Sequence, residues 1–337
     1  ALKANATWHL FPTLRNHSDG ATASSLNEAN LVVEHMGIKA HTYAPIYTEE
    51  EIDDILAASS HITFNSLSQY ERYHKRAIER GVSCGLRVNP EYSTVETDLY
   101  NPAMPESRLG VRACDLERLP EGIEGLHFHS LCESRPEDLE ATLRSFEERF
   151  GHHITKVKWV NFGGGHLMTH VDYDEDRLIE ILRSFKSRHP HLRVILEPGS
   201  AFTWDTGVLV ARVEDIVRNG GRNTLMLNVS FACHMPDCLE MPYQPKITES
   251  VDVNSSLPTY RLGGNSCLSG DFIGDWSFEK PLVIGDRLTL EDMNHYTTVK
   301  TNMFNGIQHP SIVLCRTNGE CEYLRQYTYE DYKSRMS

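Results

Sequence analysis

The sequence predicts an α/β chain, with a (β/α)8 barrel over residues 1–204 followed by an antiparallel β-sandwich or β-barrel domain over residues 205–337. Three observations lead there. Up to about residue 200, short β-like runs alternate with amphipathic helical stretches, the pattern of a parallel sheet covered by helices. Eight such runs can be placed, at 1–4, 20–24, 40–44, 61–66, 83–88, 125–129, 158–162 and 193–197. Later, the stretches 208–217, 224–229, 282–290 and 311–316 are rich in β-branched and aliphatic residues and are separated by Gly, Asn and Pro, which reads as a second, all-β unit.

The helices between the early runs carry start signals. Ser25 with Glu28, and Thr48 with Glu51, both match a capping box. Leu139, Leu143, Phe146 and Phe150 recur at helical spacing and mark one buried face. The chain opens on Ala1 in the middle of what reads as a strand, so a leading segment is expected to be missing from the sequence.

Composition narrows the function classes. Hydrophobic residues at 40% and charged residues at 24% are globular values. A formal net charge of −14 argues against a nucleic-acid backbone as partner and suits a cationic substrate, although a solvated acidic surface is the commoner reason for such a charge. Eight cysteines, at 84, 114, 132, 233, 238, 267, 315 and 321, form no CxxC pair and read as reduced thiols of a cytoplasmic protein. No run of 18 apolar residues appears, so no membrane partner is expected.

In a (β/α)8 barrel the active site lies at the C-terminal ends of the strands, and unusual polar or glycine-rich residues should follow strands. Four do. Lys3 ends the first run, His129 the sixth and Glu197 the eighth, while Gly163, Gly164 and Gly165 follow the seventh. A lysine at a barrel mouth loses its charge easily and can condense with an aldehyde. Three glycines let backbone N–H groups close on a phosphate, although a tight βα turn needs the same residues. Glu197 in that position can pair with a protonated pyridine nitrogen, its bland alternative being a salt-bridged structural carboxylate. His127 and His129 alternate on one strand and face the same side, but no third ligand stands at metal spacing, and Cys233, His234 and Cys238 also lack a completing pair. No metal is expected.

Residues 21–28 (ATASSLNE), 126–133 (LHFHSLCE), 234–243 (HMPDCLEMPY) and 296–306 (YTTVKTNMFNG) resemble the carboxynorspermidine decarboxylase family, and the similarity runs in order along essentially the whole chain. That family is a branch of the pyridoxal-phosphate-dependent decarboxylases of the alanine-racemase fold. The resemblance implies pyridoxal 5'-phosphate as cofactor, bound by Lys3 as an imine, with His129 stacked on its ring, Glu197 at the ring nitrogen, and Gly163, Gly164, Gly165 and Tyr296 at its phosphate. It further implies a homodimer in which the second domain supplies Cys267 to the partner's site as the acid that protonates Cα. Asp271 would contact the substrate's distal amine, and Asp237, Glu240 and Asp275 cluster in the segments expected to line the pocket. The implied activity is decarboxylation of carboxynorspermidine or carboxyspermidine in polyamine biosynthesis.

Cys132 and Ser200 stand where the wider ornithine and diaminopimelate decarboxylases carry a phosphate-binding serine and an arginine, and Leu268 replaces the acidic residue after the cysteine. Diaminopimelate, ornithine or arginine as substrate, a racemase of the same fold, and a non-catalytic regulatory homologue are the rival readings.

Overall fold

The computed structural model describes residues 1–95 and 101–337 and divides into two compact units, Ala1–Phe202 and Thr203–Ser337. In the first, β1 (Thr22–Ala23), β2 (Ala40–Tyr43), β3 (Ser59–Phe64), β4 (Ser83–Arg87), β5 (Ile123–His127), β6 (Trp159–Asn161) and β7 (Arg193–Ile195) form one parallel sheet in sequence order. Helices α1 (Phe11–Arg15), α2 (Leu26–Met36), α3 (Ile52–Ala58), α4 (Leu67–Glu79), α5 (Pro136–Ile154) and α6 (Glu175–Arg188) cover it, and a short turn, α7 (Ser200–Thr203), lies at the boundary. The result is a curled half-barrel.

The described residues give seven strands where eight runs were expected. Residues 1–4 form a turn: the Ala4 N–H folds back onto the Ala1 carbonyl at 3.2 Å, and Leu2 gives a single bond, at 3.0 Å, to Thr22 of β1. A ladder needs more than one such bond.

Local signals explain most helix ends. Ser25 accepts the Glu28 N–H at the start of α2, and the Glu28 carboxylate accepts the Ser24 N–H at 2.6 Å; Gly37, at φ +65°, ends the helix in the left-handed region. The Thr48–Glu51 box does not form. Glu51 itself sits at the N-cap of α3 with helical dihedrals and no side-chain cap. On α5, Leu139, Leu143, Phe146 and Phe150 are all buried, as their spacing demands.

Inside the sheet's curve, Trp159 of β6 lies against Gly85 of β4 and Gly125 of β5. A Cβ would come within 2.3 Å of the indole at Gly85 and 2.1 Å at Gly125, so those strands must be bare there for the ring to fit. Register then aligns Arg87 with His127, His127 with Asn161, and Asn161 with Ile195, which sets a row of polar side chains along the C-terminal ends of β4, β5 and β6.

The second unit contains a five-stranded sheet of β8 (Leu209–Asn219), β9 (Arg222–Leu227), β10 (Thr259–Gly263), β11 (Phe272–Ser277) and β12 (Arg287–Leu290), in the order β11-β10-β9-β8-β12. A two-residue turn at Gly220–Gly221, both at positive φ, joins β8 to β9 as a tight hairpin. The sheet is mixed, not purely antiparallel as the sequence suggested, because β9 and β10 run parallel. Their connection leaves the sheet through two short helices, α8 (Phe231–His234) and α9 (Asp237–Glu240), and so returns in the same direction. A further single-turn helix, α10 (Thr297–Lys300), precedes a separate hairpin of β13 (Ile312–Cys315) and β14 (Cys321–Arg325) and the last helix, α11 (Tyr329–Met336).

In that hairpin Cys315 and Cys321 form a disulfide, where free thiols had been expected. They are direct cross-strand partners with Cα atoms 4.2 Å apart, a proximity set by register that spacing along the chain does not reveal. Among the described residues no helix is long and apolar enough to cross a membrane.

Candidate active site

The polar row at the strand ends opens into a cavity of about 330 Å³, counted to its mouth, lined by Lys3, Tyr43, Arg87, His129, Gly164 and Glu197 among others. Four residues singled out from the sequence therefore share one rim. Each is held by a different element. His127 ends β5, Phe128 turns outward to pack between Phe146 and Phe162, and His129 thereby returns to the inner side. Its Nε2 stands 3.2 Å from Lys3 Nζ, and its Nδ1 accepts the Gly164 N–H at 3.0 Å.

Glu197 follows β7, and its N–H bonds the Gly163 carbonyl at 2.7 Å. Its carboxylate accepts a hydrogen bond from Asn161 Nδ2 on one oxygen and faces His127 Nε2 at 3.7 Å on the other. Asn161 is fully buried, and its Oδ1 accepts the Gly163 N–H at 2.8 Å. A backbone N–H can only donate, so the orientation of this amide is fixed and its NH₂ must point to Glu197.

The glycine loop is tight for reasons internal to the protein. Gly163 and Gly165 adopt φ of +72° and +94°, and a Cβ on Gly165 would meet the Leu131 carbonyl at 2.2 Å. Two of the three N–H groups proposed to cradle a phosphate are already engaged, Gly163 by Asn161 and Gly164 by His129. Any phosphate contact from this loop falls to Gly165 and its neighbours.

Burial pushes the Lys3 ammonium below its usual range, with the Arg87 cation adding to the effect and Glu197 opposing it. Burial also drives His129 well down, assisted by Lys3 and Arg87, and takes His127 to about 3. Both imidazoles are neutral at neutral pH. For Glu197 burial works upward, yet the net displacement of the carboxyl is below its usual range, with the Asn161 hydrogen bond among the opposing causes. The site thus presents a weakly basic amine and an ionised carboxylate across one cavity. Those are the groups an aldehyde-bearing, protonatable heterocycle requires, and pyridoxal phosphate fits them.

Residues 99–294 match the family described as pyridoxal-dependent decarboxylase, C-terminal sheet domain. The chain belongs to that family. It is a pyridoxal-phosphate-dependent carboxy-lyase. The decarboxylase is 50% identical to the carboxyaminopropylagmatine decarboxylase of Synechocystis over 337 residues, 100% of this chain and 87% of the relative. It is 40% identical to the carboxynorspermidine/carboxyspermidine decarboxylase of Campylobacter jejuni, over 99% of this chain and 90% of that one. Among solved structures, carboxynorspermidine decarboxylase from Campylobacter jejuni complexed with norspermidine aligns with a TM-score of 0.91 at 39% identity, covering 99% and 90% of the two chains. Diaminopimelate decarboxylase from Helicobacter pylori aligns at 0.83 with 17% identity, covering 99% of this chain and 88% of the other, a likeness of fold.

The remaining candidates of the decarboxylase lie in its second unit. Cys267 is exposed on the loop between β10 and β11, its N–H bonded to Asn305 Oδ1 at 2.7 Å. Asp271, by contrast, is buried: one oxygen accepts the N–H groups of Phe231 and Ala232 at 2.8 and 3.0 Å, the other the N–H and Oγ of Ser266 at 3.0 and 2.6 Å. Asp237 and Glu240 both pair with Lys300, and Asp275 pairs with Arg222 at 3.3 Å. Tyr296 sits at φ +53° and ψ −30°, outside the left-handed helical well, a sparsely populated conformation that costs a non-glycine residue about 1–3 kcal/mol.

Sequence reasoning missed Arg87 and Asn161. Arg87 is buried, lies 4.7 Å from the Tyr43 ring centroid, donates to the His129 carbonyl at 3.0 Å, and has no carboxylate partner among the described ion pairs. The available signal was position: both are polar residues ending apolar barrel strands.

Proposed function

We propose that the protein decarboxylates carboxynorspermidine or carboxyspermidine, giving norspermidine or spermidine. The observation that carries the reading is the convergence of Lys3, His129 and Glu197 on one cavity beside the Gly163–Gly165 loop, in a chain whose relatives act on carboxylated polyamines.

Bound pyridoxal phosphate supplies an aldehyde for imine formation and a ring that takes up the electrons released with carbon dioxide. Lys3 is the amine that holds it. Glu197, kept ionised by Asn161, is the partner for a protonated ring nitrogen, and the flat face of His129 is the stacking surface. Tyr296 and the loop around Gly165 are its phosphate contacts. Cys267, exposed on its loop, returns a proton to Cα from a second copy of the chain, so the working form is a homodimer. Asp237, Glu240 and Asp275 are the carboxylates available to the cationic tail, once freed from Lys300 and Arg222. We place this enzyme in the cytoplasm.

A second reading is favoured by one specific observation. The Synechocystis relative at 50% identity is named for carboxyaminopropylagmatine, whose tail ends in a guanidinium in place of an ammonium. A planar guanidinium asks for a bidentate carboxylate, which a compact ammonium does not.

Carbon dioxide release from each of these substrates and from diaminopimelate, at equal protein, decides the matter. Highest kcat/KM for carboxynorspermidine or carboxyspermidine supports the proposal; preference for the agmatine derivative selects the second reading, and preference for diaminopimelate overturns both. Lys3→Ala should abolish turnover and the visible absorbance of bound cofactor, and a fully active variant would remove Lys3 from the site. Co-expression of Lys3→Ala with Cys267→Ala chains tests the shared site: if each site draws on both copies, a mixed dimer keeps one intact site of its two, and a randomly mixed population, about half of it mixed dimers, should regain about a quarter of parental activity.

A further inference from the structure

We propose that the Gly164 N–H, acting through the ring of His129, fixes Lys3 as an uncharged amine. This rests on Lys3 being the imine-forming residue and adds a positioning group one step removed from it.

The argument is one of hydrogen-bond direction. A backbone amide can only donate, and the Gly164 N–H reaches His129 Nδ1 at 3.0 Å, so Nδ1 must be bare. A neutral imidazole with bare Nδ1 carries its proton on Nε2, and an imidazolium would set Nδ1–H against the amide. Nε2 lies 3.2 Å from Lys3 Nζ. An ammonium there offers three donors and no acceptor, so it would confront the Nε2–H; a free amine presents a lone pair to it. Only the pair of neutral His129 and neutral Lys3 satisfies both contacts.

The surroundings are consistent with that pair. Burial and Arg87, at the end of β4, disfavour the ammonium, while Glu197 after β7, Cys132 after β5 and Glu28 on α2 work the other way, and the net displacement of Lys3 is downward. His129 is itself kept neutral by burial, Lys3 and Arg87.

Gly164 holds this place because it lacks a side chain, although the constraint comes from the Glu197 backbone and not from the ring, which a Cβ would meet at 3.7 Å. A Cβ at this position would fall 2.3 Å from the Glu197 carbonyl oxygen. The glycine is therefore tied to the chemistry of the lysine as well as to closing the loop. An amine held in this form would be ready for imine formation once its lone pair turned from the Nε2–H to an aldehyde carbon, and its two protons would leave with the carbonyl oxygen as water. No proton has first to be passed to solvent.

The test uses the full chain, labelled with ¹⁵N-histidine and freed of cofactor. Long-range ¹H–¹⁵N spectra should contain, among the signals of neutral histidines protonated on Nε2, one that persists through neutral pH and is the signal lost in His129→Asn. A proton on Nδ1, or an imidazolium, overturns the proposal. Independently, borohydride trapping of added pyridoxal phosphate, read by peptide mass at Lys3, gives a pH profile. His129→Asn keeps an acceptor near Gly164 but loses the Nε2 donor, so its profile should move to higher pH. Labelling below the midpoint should fall about tenfold for every pH unit that the profile moves. His129→Gln, which returns an N–H near the Nε2 position, should recover part of the lost labelling. An unmoved profile in His129→Asn overturns the proposal. Label on a different lysine instead overturns the assignment of Lys3, while the ring spectra still decide the tautomer.

Discussion

The candidate site carboxylates of the two units are held in opposite ways. In Ala1–Phe202, Glu197 sits at a cavity wall with the Asn161 amide and the neutral His127 imidazole against its carboxylate, and among the described residues no lysine or arginine forms an ion pair with it. In Thr203–Ser337, Asp271 is closed in by four hydrogen bonds, and Asp237, Glu240 and Asp275 each meet a lysine or arginine. The first arrangement leaves charge unmatched and ready for a cationic ring nitrogen. The second neutralises it within the fold. An acidic residue near a site is thus weak evidence of a ligand until its own neighbours have been counted.

The contrast is open to test. The largest effect should come from Glu197→Gln, which removes the unmatched charge and should lower kcat by about 10²–10³-fold, the scale of losing one preorganised electrostatic contact. The same change has a pH signature. Because the Glu197 carboxyl lies below its ordinary range when folded, its contribution to stability is present above the unfolded pKa of about 4.3 and is lost as pH falls through the folded value. Glu197→Gln should therefore flatten that part of the acid limb in urea titrations, and an unchanged limb would show that the carboxylate is not held in this way.

A smaller and different effect is expected at Asp271. Asp271→Asn weakens a buried network and should cost about 1.5–3 kcal/mol of unfolding free energy, with KM close to the parent's. A large rise in KM at unchanged stability would return Asp271 to the substrate. Least of all, Asp275→Asn breaks an exposed pair with Arg222 and should alter stability by under about 1 kcal/mol in the same assay.

Much of the first unit was legible because hydrophobic alternation and glycine placement are local properties. Each strand that follows the opening run starts and ends within two residues of where its run places it, Ile123 of β5 two residues early and Thr22 of β1 two residues late. The opening run was over-read, since four residues have the composition of a strand whether or not they find a ladder. In the second unit β14 went unseen, and so did β10 and β11. Both are short, and β11 carries Gly274 and Asp275 at its centre, which interrupts the apolar pattern. The parallel pairing of β9 and β10 depends on where a long connection travels, which no window of sequence contains.

The same division holds at the site. His129, the glycines and Glu197 announced themselves by residue type after a strand, and Lys3 by residue type at the end of a run that reads as one. Asn161 did not, because its meaning lies in two bonds to residues on either side of it in space, Gly163 and Glu197. Arg87 likewise looked like the charged end of a strand until its burial was known.

The indole of Trp159 carries an evolutionary corollary. Since Gly85 and Gly125 stand against its two ends, neither can acquire even a methyl group while the tryptophan remains. Sequence drift at these three positions must be concerted: the large residue has to shrink before either small one can grow, and a lineage that has made the exchange will be separated from this one by a step that single substitutions cannot easily reverse.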